Sequence, residues 1–165
     1  MKKKITAITA VLILGIAAFF IFRPESEEDR VKEVLFTLCR MGSKKQGDNA
    51  AAAALMISKT DKIFADKFRI KISDGMFDGE FDPSRMTSEL ARYRAVFRDV
   101  KVSVQDFEVS FPAENAAVVI CSGVLNGDMQ NGKAVSEARD IECHLVKSAG
   151  NWKITDLLIR DILEK

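Results

Sequence analysis

The only histidine of this chain is the side chain best suited to acid–base chemistry. His144 lies in the segment DIECHLVK, where polar and apolar residues alternate as they do in a half-buried β-strand. Asp140 and Glu142 share its parity, and Asp156 lies in the next apolar run. A histidine–carboxylate pair drawn from these residues has the chemistry to move a proton to or from a substrate.

The apolar residues of the same segment favour a different placement of this pair. Ile141, Cys143 and Leu145 occupy the alternate parity, which predicts that they face the core. His144 and Glu142 would then lie on the outer face of the sheet, in solvent or against a partner. The catalytic interpretation instead requires that their face lines a cavity, and both interpretations stay open at this point.

Tyr93 is the only tyrosine and is the remaining candidate for catalysis. It falls on the apolar stripe that Met86, Leu90 and Phe97 mark along a predicted helix. An isomerase-type site needs a general-base carboxylate near a tyrosine donor in an apolar pocket. No carboxylate has a spacing that assigns it to this role, so we expect Tyr93 to be a core or rim aromatic.

The three cysteines, Cys39, Cys121 and Cys143, show neither C-x-x-C nor zinc-type spacing. Cys121 and Cys143 lie in apolar runs, which favours small buried side chains, with a disulfide between them as the alternative. The acidic stretch DGMFDGEFDP lacks the aspartate spacing and closing glutamate of a calcium loop. We therefore expect no metal site and no cofactor.

Three helices are predicted before the strands. Ser26 begins the first, and Gly42 ends it. Asp48 is the predicted cap of the second, whose alanine-rich body NAAAAALMI is expected to be sandwiched inside the domain. The third helix opens at Asp82-Pro83, since aspartate is a good cap and proline suits the first helical position.

The remaining segments are predicted as strands. KFRIKIS indicates one short strand, and a meander of four strands begins near residue 100. The alternation slips at Gln105-Asp106, which is typical of a β-bulge in a bending strand. Trp152 and Ile154 of the final strand are expected to anchor the core.

One strand of the meander, AAVVICSGVL, is apolar on both of its faces. The helices can cover only one side of a sheet, so the other side needs a partner. Val118, Ile120 and Val124 are therefore predicted to form an interface with a second copy of the chain or with an envelope protein.

Residues 5–22 contain no charged group and follow the basic start MKKK. Eighteen residues make roughly 27 Å of helix, close to the thickness of a bilayer core. We predict an uncleaved transmembrane anchor at residues 1–23, with a cytoplasmic N-terminus and an extracytoplasmic (periplasmic) domain at residues 24–165. Secretion after signal cleavage is the alternative.

The charge of the predicted soluble part argues against nucleic-acid binding. The first 23 residues hold four of the 25 basic groups and none of the 24 acidic ones, so the remainder carries a net charge of −3. A nucleic-acid-binding domain usually presents a strongly basic face.

The order of elements and the closing segments GNWKITDL and EARDIECHLVKS resemble the nuclear transport factor 2-like superfamily, which includes the SnoaL-like and cystatin-like cone folds. The resemblance covers residues 25–163. It implies an α+β fold with three N-terminal helices packed on a strongly bent, mostly antiparallel sheet. It also implies a cavity between helices and sheet and, often, a dimer through the outer face of the sheet.

Function is predicted only broadly, because one fold hosts many activities. We expect a membrane-tethered, non-catalytic domain that binds a partner protein or a small apolar ligand. The alternative is a cyclase, isomerase or dehydratase of the same fold that uses a histidine–carboxylate pair, with His144, Glu142, Asp156 and Tyr93 as candidates.

Overall fold

The computed structural model describes residues 25–73 and 76–161. The predicted anchor at residues 5–22 lies outside these ranges. Within them, no helix has both the length and the apolar character needed to cross a membrane.

Three α-helices precede or interrupt the strands, as the sequence predicts. The third helix follows the second strand, and a short 3₁₀ turn separates the second helix from the first strand. Their bounds are Glu27–Gly42 for α1, Ala50–Ile57 for α2, Thr60–Lys62 for the 3₁₀ turn and Pro83–Val96 for α3.

The helix caps match the predictions at two of the three starts. Ser26 and Asp29 form a reciprocal capping box at α1, and Asp82 accepts a hydrogen bond from the backbone N–H of Arg85 at α3. The prediction for α2 was wrong, because Asn49 caps that helix. Asp48 instead accepts a hydrogen bond from the backbone N–H of Lys45 in the preceding loop.

Six strands form one mixed sheet, and their bounds are Phe64–Ile72 for β1, Phe77–Phe81 for β2, Phe97–Ala113 for β3, Ala116–Met129 for β4, Ala134–Ser148 for β5 and Asn151–Asp161 for β6. Their order in the sheet is β2-β1-β6-β5-β4-β3. All neighbouring pairs are antiparallel except β1 and β6, which run parallel. The predicted acidic loop contains strand β2, so the sequence underestimated the sheet by one strand.

The helices cover one face of the sheet, here called the inner face, and the core lies between them. The predicted core positions Cys143 and Leu145 of β5 are buried there, together with Trp152 and Ile154 of β6. Phenylalanines fill much of the space between the helices and β1, with the rings of Phe64 and Phe68 stacked 4.2 Å apart.

Helix α2 does not lie inside the domain, contrary to the prediction. Most of its alanines are exposed, and Leu55 is 62% exposed. Only Ile57 at its end is buried. This segment therefore forms a helix because alanine has a high helix propensity, although little of the helix surface is buried.

The predicted bulge in β3 is confirmed. The pairing of β3 with β4 shifts register between Gln105 and Glu108, and Asp106 adopts a positive φ of 56°. The bulge brings Phe107 and Val109 onto the inner face, where they pack against the core.

All three cysteines are buried and free. In the register of β4 and β5, Cys143 is paired with Val119 and Cys121 with Ile141. The two thiols are thus offset along the inner face, and the prediction of buried, unbonded cysteines is confirmed over that of a disulfide.

Candidate functional site

The outer face of the sheet, opposite the helices, carries His144 and its neighbours. Strands β5 and β6 are antiparallel, and their register places His144 beside Asp156, and Asp140 beside Arg160. Glu142 has the same parity as His144 and Asp140. Because side chains alternate along a strand, burial of Cys143 and Leu145 on the inner face directs this polar set outward.

Two of the predicted catalytic residues contact each other directly. Nε2 of His144 lies 2.8 Å from Oε1 of Glu142, and Arg160 donates to Oε2 of the same carboxylate at 2.7 Å. The hydrogen bond from His144 holds the pKa of Glu142 below its ordinary value, and the positive charge of Arg160 acts in the same direction. Glu142 is therefore ionised at neutral pH and binds two donors at once.

The ionised carboxylate fixes the tautomer of the histidine. A carboxylate can only accept hydrogen bonds, so the Nε2 atom of His144 must carry a proton in this contact. In the neutral ring, Nδ1 is then the free acceptor. The His144 side chain is 41% exposed, which leaves the ring accessible from outside.

A cavity of about 680 Å³ lies on this face, with Glu142 in its wall. Its volume is within the range of small-molecule sites. Ile120 and Ser122 of β4 contribute part of the lining, and the charged residues that line it are Asp106, Glu108, Asp140, Glu142, Arg160 and Asp161. The excess of carboxylates favours a neutral or cationic occupant over an anionic one.

The structure separates Tyr93 from this group. Tyr93 belongs to α3 and packs against Phe97, with ring centroids 5.1 Å apart. Its hydroxyl group is buried and has no hydrogen-bond partner among residues 25–73 and 76–161. Burial raises the pKa of Tyr93 to about 12. Tyr93 therefore remains protonated near neutral pH and lies on the helix side of the molecule, away from His144.

Asp156 shares the outer face with His144 but makes no direct contact with its ring in the described structure. Asp156 is the backbone partner of His144 in the pairing of β5 with β6, and the register of this pairing shifts directly after His144. The nearby Thr155 hydroxyl donates to the carbonyl of His144 at 3.3 Å, which ties the two strands together at this shift.

Sequence reasoning did not single out Arg160 or Glu108. Arg160 has the same parity as Leu158 in the last strand, and that alternation signals an outward position without indicating a contact with Glu142. Glu108 lies after the bulge of β3, so its place in the cavity wall depends on how that strand bends.

The described residues contain no group of three or more histidine, cysteine, aspartate or glutamate side chains placed to hold a metal ion. The acidic side chains of the cavity wall are distributed over three strands, β3, β5 and β6.

Neither a scan against protein-family models nor a search of curated protein sequences finds a match for this chain. Solved structures do share its fold. Hexachlorocyclohexane dehydrochlorinase LinA-type3 from Novosphingobium barchaimii aligns with a TM-score of 0.62 and 12% identity, over 81% of this chain and 84% of its own.

Two proteins from Novosphingobium aromaticivorans align equally well. A candidate scytalone dehydratase has a TM-score of 0.63 and 13% identity, over 81% of this chain and 83% of its own. An NTF2-like protein with a cystatin-like fold has a TM-score of 0.63 and 10% identity, over 91% of this chain and 90% of its own. The structural neighbours are thus NTF2-like cone-fold proteins, which confirms the predicted resemblance at the level of the fold.

The names of these neighbours correct the main functional prediction. They include a dehydrochlorinase, a candidate dehydratase and a candidate aromatic ring hydroxylase. This finding contradicts the expected non-catalytic binding or assembly domain and favours its alternative, an enzyme. The physical reason for the error is that the alternation of β5 places His144 and Glu142 on the outer face, while the pattern of a strand does not reveal whether that face carries a cavity.

Proposed function

We propose that this protein is an enzyme that removes a proton from a small neutral or cationic substrate, in an elimination or isomerisation of the dehydratase or isomerase type. The observation that carries the proposal is the 2.8 Å contact between His144, which lies outside the cavity lining, and Glu142, which lines the outer-face cavity of about 680 Å³. The enzyme names of the structural neighbours support the class of reaction.

His144 is the proposed base. The carboxylate of Glu142 holds the Nε2 proton, so Nδ1 can accept a proton from the substrate. The ring becomes positively charged in this step, and the adjacent carboxylate of Glu142 stabilises that charge. The proton then returns to the substrate at another position or to the leaving group.

Arg160 is proposed to position this pair. Its guanidinium group binds Oε2 of Glu142 at 2.7 Å and leaves Oε1 for the histidine. Without Arg160 the carboxylate could rotate and lose its alignment with the imidazole ring. Arg160 thus acts through Glu142, while Ile120 and Ser122 offer surface for the substrate.

A generic carbon acid tests the proposal without knowledge of the natural substrate. In 5-nitrobenzisoxazole, removal of the ring C–H proton by a base breaks the N–O bond, and the electron pair ends on a phenolate oxygen that absorbs visible light. We expect the full chain to open this ring faster than an equal concentration of imidazole. His144→Asn and Glu142→Gln should each lower the rate by at least roughly tenfold.

Glu114→Gln is the matched control, because Glu114 lies in the exposed turn between β3 and β4 and does not line the cavity. It should leave the rate unchanged. If the His144 and Glu142 variants stay folded and retain the full rate, the pair is not the base and the proposal fails.

We also propose that a second copy of the chain covers part of the outer face, with an envelope protein as the alternative partner. Ile120 is 48% exposed, and Val118 and Val124 lie beside it on β4. A covering partner would exclude water from the cavity and strengthen the electrostatic contacts within it. The tether through residues 5–22 stays a prediction.

Sedimentation velocity distinguishes these partners. A homodimer should dissociate in Ile120→Glu and persist in Leu55→Glu, since Leu55 is an exposed apolar residue on α2, away from the sheet. A wild-type chain that sediments as a monomer at high concentration would exclude the homodimer.

A further inference from the structure

A second cavity, of about 610 Å³, lies between α1, α2 and the edge strand β3. It shares no lining residue with the outer-face cavity. Its apolar lining comes from three elements: Phe36 and Cys39 of α1, Met56 of α2, and Val102 and Val104 of β3. Burial raises the pKa of the Cys39 thiol to about 11, in keeping with the low polarity of this lining.

Basic side chains surround the apolar part. Arg40 forms an ion pair with Glu33, and Lys44 donates hydrogen bonds to backbone carbonyls. Lys45 and Lys101 are exposed, and neither ammonium group has an acidic partner in the part of the chain that the structure describes. Two cations are thus free to bind an anion at the edge of an apolar groove.

Asp48 is the one acidic residue in the lining, and its carboxylate contacts a backbone N–H and a guanidinium group. It accepts a hydrogen bond from the backbone N–H of Lys45 at 2.9 Å, and one of its oxygens lies 3.6 Å from the guanidinium group of Arg94. Its negative charge is therefore balanced by Arg94, which is 6% exposed.

Hydrogen bonds within the chain hold the wall of the groove in place. The buried Arg94 donates to the carbonyls of Met41 and Ser43, and the Ser43 hydroxyl accepts from the backbone N–H of Val102. Lys44 pairs with Val100 through two backbone hydrogen bonds. These contacts fix the loop after α1 against β3, so little order needs to be gained on binding.

The same contacts exclude one kind of occupant. An extended peptide could add to the edge of β3 only if its backbone groups were free. Lys44 and Ser43 occupy those groups at Val100 and Val102. The backbone groups of the edge strand β3 are therefore not available to a peptide at the groove. A ligand can contact only the apolar side chains and the cations of the groove.

We infer that this groove binds a small anionic amphiphile, an acyl chain with a carboxylate head, as a free monomer. The chain would lie against Phe36, Met56 and Val102, and the head group would contact Lys45 and Lys101. A cavity with a mostly apolar lining and a few placed charges is typical of such sites.

Photo-crosslinking of the full chain tests this inference. The probe is a dodecanoate that carries a photoreactive diazirine, and mass spectrometry locates the labelled residues. We expect labels in the segments 36–56 and 101–104. The double variant Lys45→Glu, Lys101→Glu should lower this labelling by roughly tenfold, because it replaces two attractive charges with repulsive ones.

Two controls isolate the role of charge. Lys133→Glu reverses an exposed lysine that does not line the groove and should leave the labelling unchanged. The matching diazirine alcohol lacks the anionic head and should label the groove weakly. Equal labelling by the alcohol, or an unchanged yield in the folded double variant, would overturn the inference.

Competition identifies the source of the ligand. Free dodecanoate should suppress the labelling, whereas vesicles of phosphatidylcholine and phosphatidylglycerol should not. Suppression by the vesicles alone would overturn the assignment to a free monomer in favour of bilayer lipid. Labels confined to the outer face would overturn the site itself.

Discussion

The inner and outer faces of the sheet are formed by the same strands but differ in burial and polarity. On the inner face Val119, Cys143 and Ile154 are completely covered. On the outer face Ile120 is 48% exposed, and His144 contacts Glu142. Residues adjacent in the chain thus experience opposite environments. Burial of the inner face supplies the stability that allows the outer face to carry polar groups.

The largest expected effect comes from removing side-chain volume on the two faces. Ile154→Ala should lower the free energy of unfolding by about 2–5 kcal/mol, because it leaves a cavity among fully buried neighbours. Ile120→Ala should lower it by less than about 1 kcal/mol in dilute protein, since half of that side chain already contacts solvent. Urea unfolding measures both. Equal losses would show that the faces do not differ as described.

A smaller effect is expected from adding volume to the inner face. A Cβ atom at Gly127 would lie 2.6 Å from the carbonyl oxygen of Asp99 and 3.0 Å from the Cα of Val100, and both are backbone atoms that cannot rotate away. Gly127→Ala should therefore cost about 1–3 kcal/mol. At Gly123 the new atom would meet the Cδ1 end of Ile141, which can rotate. Gly123→Ala should cost less in the same urea unfolding measurement, and an equal cost at the two glycines would contradict this prediction.

The smallest effect concerns a contact that ties α1 to the last two strands. Glu27 accepts hydrogen bonds from Lys147 and from the indole N–H of Trp152, at 2.9 and 2.7 Å. These contacts lower its pKa from 4.5 to about 2. Since the folded pKa is below the ordinary value, the stabilisation is complete above about pH 4.5 and is lost as the pH falls towards 2.

Glu27→Gln should therefore lower the free energy of unfolding at pH 6. The difference in this free energy between the variant and the wild type should become smaller as the pH is lowered. Glu28→Gln is the control, because Glu28 lies in the same turn and bonds only Lys32 within the helix. Chemical denaturation at pH 3 and pH 6 measures the difference. If the difference in free energy of unfolding between the wild type and Glu27→Gln is the same at both pH values, the ionised carboxylate of Glu27 does not supply this stabilisation.

Much of the fold could be predicted from local signals. Asp82-Pro83 marked the start of α3, the phase slip at Gln105-Asp106 marked the bulge, and the alternation around Cys143 identified the core-facing side of β5. These features depend on residues that are near in sequence, so their pattern is visible without coordinates.

The errors arose where neighbours distant in sequence decide the outcome. The acidic loop contains strand β2 because its backbone pairs with β1, where Phe81 meets Phe68. Helix α2 is exposed because none of the elements within residues 25–73 and 76–161 covers its alanines. The local composition, rich in glycine and aspartate in one case and in alanine in the other, indicated the opposite.

The candidate site divides in the same way. Sequence alone placed His144 and Glu142 on one face of a strand, since side chains two residues apart in a strand point the same way. Only the tertiary structure decided that Arg160 contacts Glu142 and that Glu108 lines the same cavity as Glu142. Those contacts depend on the register of β5 with β6 and on the bend of β3 after its bulge. Strand register and bending are properties of the assembled sheet, because each is set by pairing between segments far apart in the chain.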